Sequence, residues 1–152
     1  MASNDEELIY EAICARLASF ANAAPFDIAW AGAAYGPIYG RAFVEIGFST
    51  IDQTQEAGSP VHSRVVRALV LKIATPKDGG RAGWIKFAEA LREHFFPLEE
   101  VQDLQSGAGP FVRIESRPEL LKSSERSDEL TEVAFGFVRG RLGIRFFFEP
   151  TV

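Results

Sequence analysis

The sequence predicts an α+β fold, a mainly antiparallel mixed sheet with two helices packed on it in a single domain. Three observations carry that prediction. In the stretch Val61 to Thr75 the odd positions Val61, Val65, Leu69, Leu71 and Ile73 form an apolar row, while Arg64, Val66, Ala68, Val70 and Lys72 face the other way. That period of two belongs to a strand with one face in a core. After the turn-forming run Pro76-Lys-Asp-Gly-Gly-Arg-Ala-Gly83, the residues Trp84, Phe87, Ala88, Leu91 and Phe95 recur at helical spacing on one face, closed by Pro97. Such a face needs a sheet to lie on. Finally, 152 residues of which 47% are hydrophobic supply one sizeable core and are too few for two ordinary domains.

The elements follow in order. Ser3 and Glu6 have the spacing of a capping box, so a helix begins there. Its apolar stripe is Leu8, Ile9, Ala12, Ile13, Leu17 and Phe20, and Pro25 stops it. Phe26 to Trp30 alternates as a short strand. Ala31 to Gly40 interleaves Gly32, Gly36, Pro37 and Gly40 with Tyr35 and Tyr39 and reads as an irregular loop. Arg41 to Phe48 is a second strand with Val44, Ile46 and Phe48 on one face. Ser49 to Pro60 is polar, lacks apolar periodicity, and is expected to be a long hairpin tip before the strand at 61.

Beyond Pro97, Leu98 to Leu104 is short and amphipathic, Gly107 to Pro110 is a turn, and Phe111 to Glu115 is a strand. Ser116 to Leu130 is expected to be an exposed excursion with a brief helical turn at Glu119 to Leu121. Thr131 to Val138 and Leu142 to Glu149 are strands joined at Arg139-Gly140-Arg141. They form a hairpin if that joint turns and one long bulged strand if it does not, and the pattern leaves both open. There is no internal repeat and no low-complexity tract.

Charge and composition exclude several function classes. A formal charge of -5 argues against a nucleic-acid binder driven by phosphate neutralisation. The imbalance is concentrated in residues 1–60, where eight carboxylates face two arginines for a net -6. A solvated face is the first reading of that segment, and a wall that repels DNA the second. No run of about 18 apolar residues is present and the first residues are acidic, so a soluble chain outside the secretory route is expected. Cys14, the single cysteine, falls in a helical pattern and is expected to be a buried structural thiol.

Chemistry finds few footholds. Gly79 to Gly83 lies between a strand and a helix, the right place for a phosphate loop, but it lacks Gly-Lys-Ser/Thr and follows an antiparallel strand. A flexible connection is the stronger reading. His62 and His94 are far apart with no cysteine or carboxylate at ligand spacing, so no zinc site is expected, and His94 reads as a helix-end residue near C-terminal carbonyls. Glu99 and Glu100 are adjacent and point apart. No catalytic residue, cofactor or metal is therefore assigned. The remaining signal is Arg113, Arg139, Arg141 and Arg145 set among Phe111, Phe135, Phe137, Phe146, Phe147 and Phe148. Either the phenylalanines are core and the arginines solvent-facing, or the group is a protein–protein interface rich in aromatics and arginine. The two readings carry equal weight.

Taken together, the chain resembles the tail terminator family of long-tailed bacteriophages and phage-derived gene transfer particles. The resemblance spans the helix ending at Ala23-Ala-Pro25, the strand Ile28-Ala-Trp30, the loop through Pro37-Ile-Tyr39 and the strand Arg41 to Glu45. It continues through a long loop, the strand ending Val70 to Pro76, the Gly79-Gly80 turn, the helix Ala82 to Phe96 and a C-terminal strand pair. Ser116 to Leu130 and the doubled strand at 131–149 are longer than the family pattern.

The resemblance implies a structural virion protein at the neck end of the tail, assembled in the host cytoplasm. It would form a homo-oligomeric ring, typically hexameric, that caps the tail tube, stops its polymerisation, and meets a head-completion or neck protein. It implies no catalysis, no cofactor, no membrane, and DNA that passes the channel without specific binding. On this reading, subunit contacts would come from strand edges carrying Arg113, Arg139, Arg141, Arg145 and Phe147. Tube or neck contacts would come from Asp52, Gln53, Gln55 and Glu56, and the channel-facing acids from Glu45, Asp52 and Glu56. The alternatives are a head–tail connector or minor tail protein of similar fold, or a small ligand-binding α+β domain using the Gly79 to Gly83 loop.

Overall fold

The computed structural model describes residues 2–20, 25–29, 35–56, 64–123 and 129–149, with the side chains of 2–6, 48–56, 64 and 65 outside the description. Helix α1 spans Ala2–Ala18 and helix α2 spans Gly80–Phe95. The strands are β1 Phe26–Ala29, β2 Ala42–Glu56, β3 Arg64–Pro76, β4 Gln102–Leu104, β5 Val112–Ile114, β6 Glu119–Leu121, β7 Thr131–Ala134 and β8 Phe137–Phe148. They form one mixed sheet in the order β1-β2-β3-β8-β5-β4, with β6 and β7 also paired to β8. β1 runs parallel to β2, and the other pairs are antiparallel. The fold class is thus the expected one.

β3 and β8 are the spine. They pair from Val65↔Phe148 to Pro76↔Phe137, and β8 gives its second edge to three short strands in succession, β7, then β6, then β5. Both helices lie on one face of this sheet. Val44 and Ile46 of β2, Leu69, Leu71 and Ile73 of β3, and Leu142, Ile144, Phe146 and Phe148 of β8 meet Ile9, Ile13 and Leu17 of α1 and the five expected residues of α2 in one core. The alternation of β3 and the stripe of α2 therefore point where their periodicities place them. The opposite face carries a smaller cluster, Phe43, Ala74 and Phe137, with Tyr35 packed against it.

Trp84 is the deepest part of the α2 contact. It is fully buried, and its Nε1 donates to the Ile73 carbonyl at 2.9 Å. Gly140 makes room for it. A Cβ there would lie 2.8 Å from the Leu130 carbonyl oxygen and would also run into the indole of Trp84. Gly140 thus serves close approach within a strand.

The structure corrects two expectations and settles two stretches that the sequence left open. Ser49 to Pro60 is not a loop up to Glu56, because β2 continues through an irregularity between Ser49 and Thr54 and pairs again as Thr54↔Val66, Gln55↔Val65 and Glu56↔Arg64. Backbone pairing with β3 needs no apolar periodicity, which is why the polar run hid it. Glu119 to Leu121 is a strand rather than a helical turn, since it occupies the open edge of β8 as Leu120↔Leu142. Arg92 Nε donates to the Pro118 carbonyl at 2.7 Å, and Arg117 pairs with Glu89 at 2.9 Å, so α2 itself holds the approach to β6. The amphipathic run Leu98 to Leu104 is a 3-10 turn at Pro97–Glu99 followed by β4. Finally, 139–141 does not turn. β8 is continuous through it, and the hairpin turns instead at Phe135-Gly136.

The side chains of the capping box at Ser3 and Glu6, residues 31–34 of the loop at 31–40, the tip at 57–63 with His62, and residues 124–128 lie outside the described residues.

The helix ends are joined by a polar clasp. His94 Nε2 donates to the Arg16 carbonyl at 2.7 Å and lies 3.0 Å from Ser19 Oγ, while Arg16 Nε donates to the His94 carbonyl at 3.2 Å and Arg16 Nη2 donates to Gln102 at 3.0 Å. His94 does sit at helix-end carbonyls, but those of α1. Burial above all pushes the His94 pKa down, and the Arg16 charge adds to this against the hydrogen bond to the Arg16 carbonyl. A depressed imidazole binds fewer protons folded than unfolded, so its contribution is complete above the unfolded value and is lost as pH falls from about 6.5 through the folded value. Wild type is expected to lose more melting temperature between pH 7.5 and pH 5 than His94→Gln, read by circular dichroism. Parallel profiles would remove His94 from the acid response.

Candidate assembly surface

The helix-free face carries the arginines. Strand alternation places Arg139, Arg141 and Arg145 of β8 on it, and the register Arg113↔Phe147 brings Arg113 to the same side. The four arginines thus share one face of the sheet. The expectation that they lie on strand edges is not met, because β8 is an interior strand between β3 and the β5–β7 series. The arginines present a surface rather than an edge.

Each arginine has its own environment. Arg139 lies over three rings, 5.6 Å from the centroids of Phe43 and Phe137 and 5.9 Å from that of Phe135. Arg141 Nε donates to the Lys122 carbonyl at 2.7 Å. Arg113 forks onto Asp103 at 2.9 and 3.3 Å, and that hydrogen-bonded pair, with Glu115 and Glu149 nearby, holds its pKa above the ordinary value. Arg145 is exposed.

The six phenylalanines divide three ways. Phe146 and Phe148 belong to the main core, Phe137 and Phe147 are buried on the helix-free side, and Phe111 and Phe135 are exposed, Phe135 at 92%. Tyr39 is 83% exposed, and its ring passes within 3.7 Å of where a Cβ on Gly136 would lie. Phe135 and Gly136 form a two-residue loop with φ of 52° and 80° between Ala134 and Phe137, the geometry of a type I′ hairpin turn. Asn-Gly is the favoured pair there, and a phenylalanine at positive φ costs roughly 1–2 kcal/mol.

Two grooves open on this side. The larger, ≈ 450 Å³, is lined by Asp103, Pro110, Phe111, Arg113, Phe147, Phe148 and Glu149. The smaller, ≈ 260 Å³, includes Glu45, Lys72, Glu132, Arg139 and Arg141. Here opposite charges meet across strands, as Glu45↔Lys72 and Glu132↔Arg139. Glu45 is thus exposed opposite Lys72. Asp52, Gln53, Gln55 and Glu56 lie on β2, and their side chains are outside the description.

Neither groove is lined by Gly79 to Gly83. That segment is a 3-10 turn running into α2, with Arg81 paired to Glu129 at 3.0 Å. Cys14 is half-buried against the core, and burial foremost raises its pKa, which keeps the thiol protonated and unreactive. Among the described residues no cluster of His, Cys, Asp and Glu could hold a metal ion, and no helix is long and apolar enough to cross a membrane.

The sequence groups the arginines and phenylalanines but does not reveal Tyr39 as an exposed ring beside the Phe135-Gly136 turn. The available signal was the Phe135-Gly136 dipeptide between two alternating runs, a weak form of the hairpin signature.

No protein-family model matches this chain, and no curated protein matches it. One solved structure, 15% identical in sequence, is similar over 97% of this chain and 97% of its own, with a TM-score of 0.63. At that identity the likeness shows the fold alone.

Proposed function

We propose that this protein is a structural assembly subunit of the tail-terminator kind. In this reading it forms a ring that caps a tail tube, stops its polymerisation and joins it to a head-completion or neck protein, with no catalytic role. The observation that carries the reading is the pair of aromatic sites exposed on the helix-free face, Phe135 with Tyr39 at one place and Phe111 at another, each beside an arginine. Exposed aromatic and arginine side chains are what buried interface centres are enriched in. One helix before the sheet and one after β3 are among the features that the family resemblance rests on. DNA would pass through such a ring without specific binding, in keeping with a net charge of -5.

Light scattering across a range of concentration, followed by negative-stain imaging, tests this. A concentration-dependent oligomer and rings with a central hole are expected, alone or when tail-tube protein is added. A monomer that neither caps tubes nor alters their length would refute the proposal.

A further inference from the structure

Phe135 and the larger groove sit at opposite ends of the same strand. Phe135 precedes β8 and the groove residues Phe147 and Phe148 end it, so some 12 residues of strand, roughly 40 Å, separate them. Both open on the helix-free side. One is a protrusion and the other a recess. The protrusion is a phenyl ring held out by a turn that its own residue type disfavours, with the exposed Tyr39 ring beside Gly136 of the same turn. Nothing in the local fold calls for phenylalanine there, and strained, exposed positions are where function is sought. The recess is lined by Phe111, Phe147 and Phe148, and its ≈ 450 Å³ is ample for one aromatic side chain with its neighbours.

Their charges also differ in sign. Beside the protrusion stand Arg139, 5.9 Å from the Phe135 ring centroid, Lys77, whose amide donates to the Gly136 carbonyl, and Glu132 opposite Arg139, which leaves a small positive excess. Around the recess stand Asp103, Glu115 and Glu149 with Arg113 among them, an excess of negative charge. We propose that Phe135 of one copy of this chain inserts into the groove between Phe111 and Phe147 of the next copy, with Arg139 directed to the carboxylates at its rim. The occupant is a second copy because the two halves, complementary in shape and charge, are carried by one chain. The contact is heterologous, so every copy keeps one protrusion and one recess to offer, and the chain of contacts closes into a ring if the rotation per step is right. This deepens the ring-subunit reading and rests on it.

Two variants test it by sedimentation velocity over a wide concentration range. Phe135→Asn restores the favoured Asn-Gly turn, so it should melt at or above the wild-type temperature while weakening self-association by about tenfold or more. Phe111→Asp alters an exposed rim residue and should weaken association similarly. Mixed, the two variants should form one-to-one pairs and nothing larger, because a single intact protrusion meets a single intact recess. Self-association of Phe135→Asn at wild-type strength would overturn the proposal. So would loss of association in Phe135→Asn but not in Phe111→Asp, which would indicate a contact between two protrusions. A wild-type chain that stays monomeric throughout would also overturn it, yet would leave standing a ring that assembles only on a tube. Tube capping by the same samples therefore separates failure of this contact from failure of the ring reading.

Discussion

Trp84→Ala is expected to lower folding stability by about 3–5 kcal/mol, the range for truncating a large, fully buried aromatic side chain. Trp84 has no exposed surface and stands where α2 crosses β3 and β8, between the Ile73 carbonyl and Gly140. The loss combines transfer of the indole from water, the cavity left beneath α2, and a carbonyl deprived of its indole donor. Urea titration followed by far-ultraviolet circular dichroism reads it directly, with an unchanged denaturant slope showing that stability, not the unfolded state, has moved. Trp84→Phe keeps much of the ring volume but not the donor, so it should cost distinctly less than alanine. A loss under about 1 kcal/mol for the alanine variant would mean that α2 does not anchor on this residue.

Gly140→Ala is expected to cost about 1–3 kcal/mol by overpacking, although alanine is otherwise a mild replacement. The added methyl meets the indole on one side and the Leu130 carbonyl at 2.8 Å on another, and backbone yields less readily than the tip of a flexible side chain. The two substitutions should be strongly non-additive. In a Trp84→Ala background the clash with the ring is gone, so adding Gly140→Ala should cost less than it does alone, with a coupling within the 0.5–3 kcal/mol seen for residues in contact. Additive losses would place the strain at Leu130 rather than at Trp84. This pair also separates folding from assembly, since both residues are buried away from Phe135 and Phe111.

Several parts of the architecture were legible because they depend on local geometry. The apolar row Leu69, Leu71 and Ile73 and the stripe from Trp84 to Phe95 could face only one way once strand and helix formed, and both lie in the core. The common face of Arg139, Arg141 and Arg145 follows from the same rule only because β8 runs through 139–141 without a turn. Other features depended on distant partners. The polar residues at the end of β2 became strand because β3 offered them a paired backbone, and Glu119 to Leu121 became strand because the middle of β8 was open. Arg113 joined the arginine face through its register with Phe147.

By itself the sequence determined the class of fold and the spine strand with its helix, since a period of two or 3.6 is a property of the backbone. Only the tertiary structure decided that Gly140 is a seat for Trp84 rather than a turn, and that the chain reverses at Phe135-Gly136 instead. It also decided which phenylalanines are core and which stand in solvent, because burial of a single ring is set by what the rest of the chain brings against it. Phe135 has only Arg139 over its ring and stays exposed, and that exposure was invisible in a run of residues that reads as apolar strand throughout.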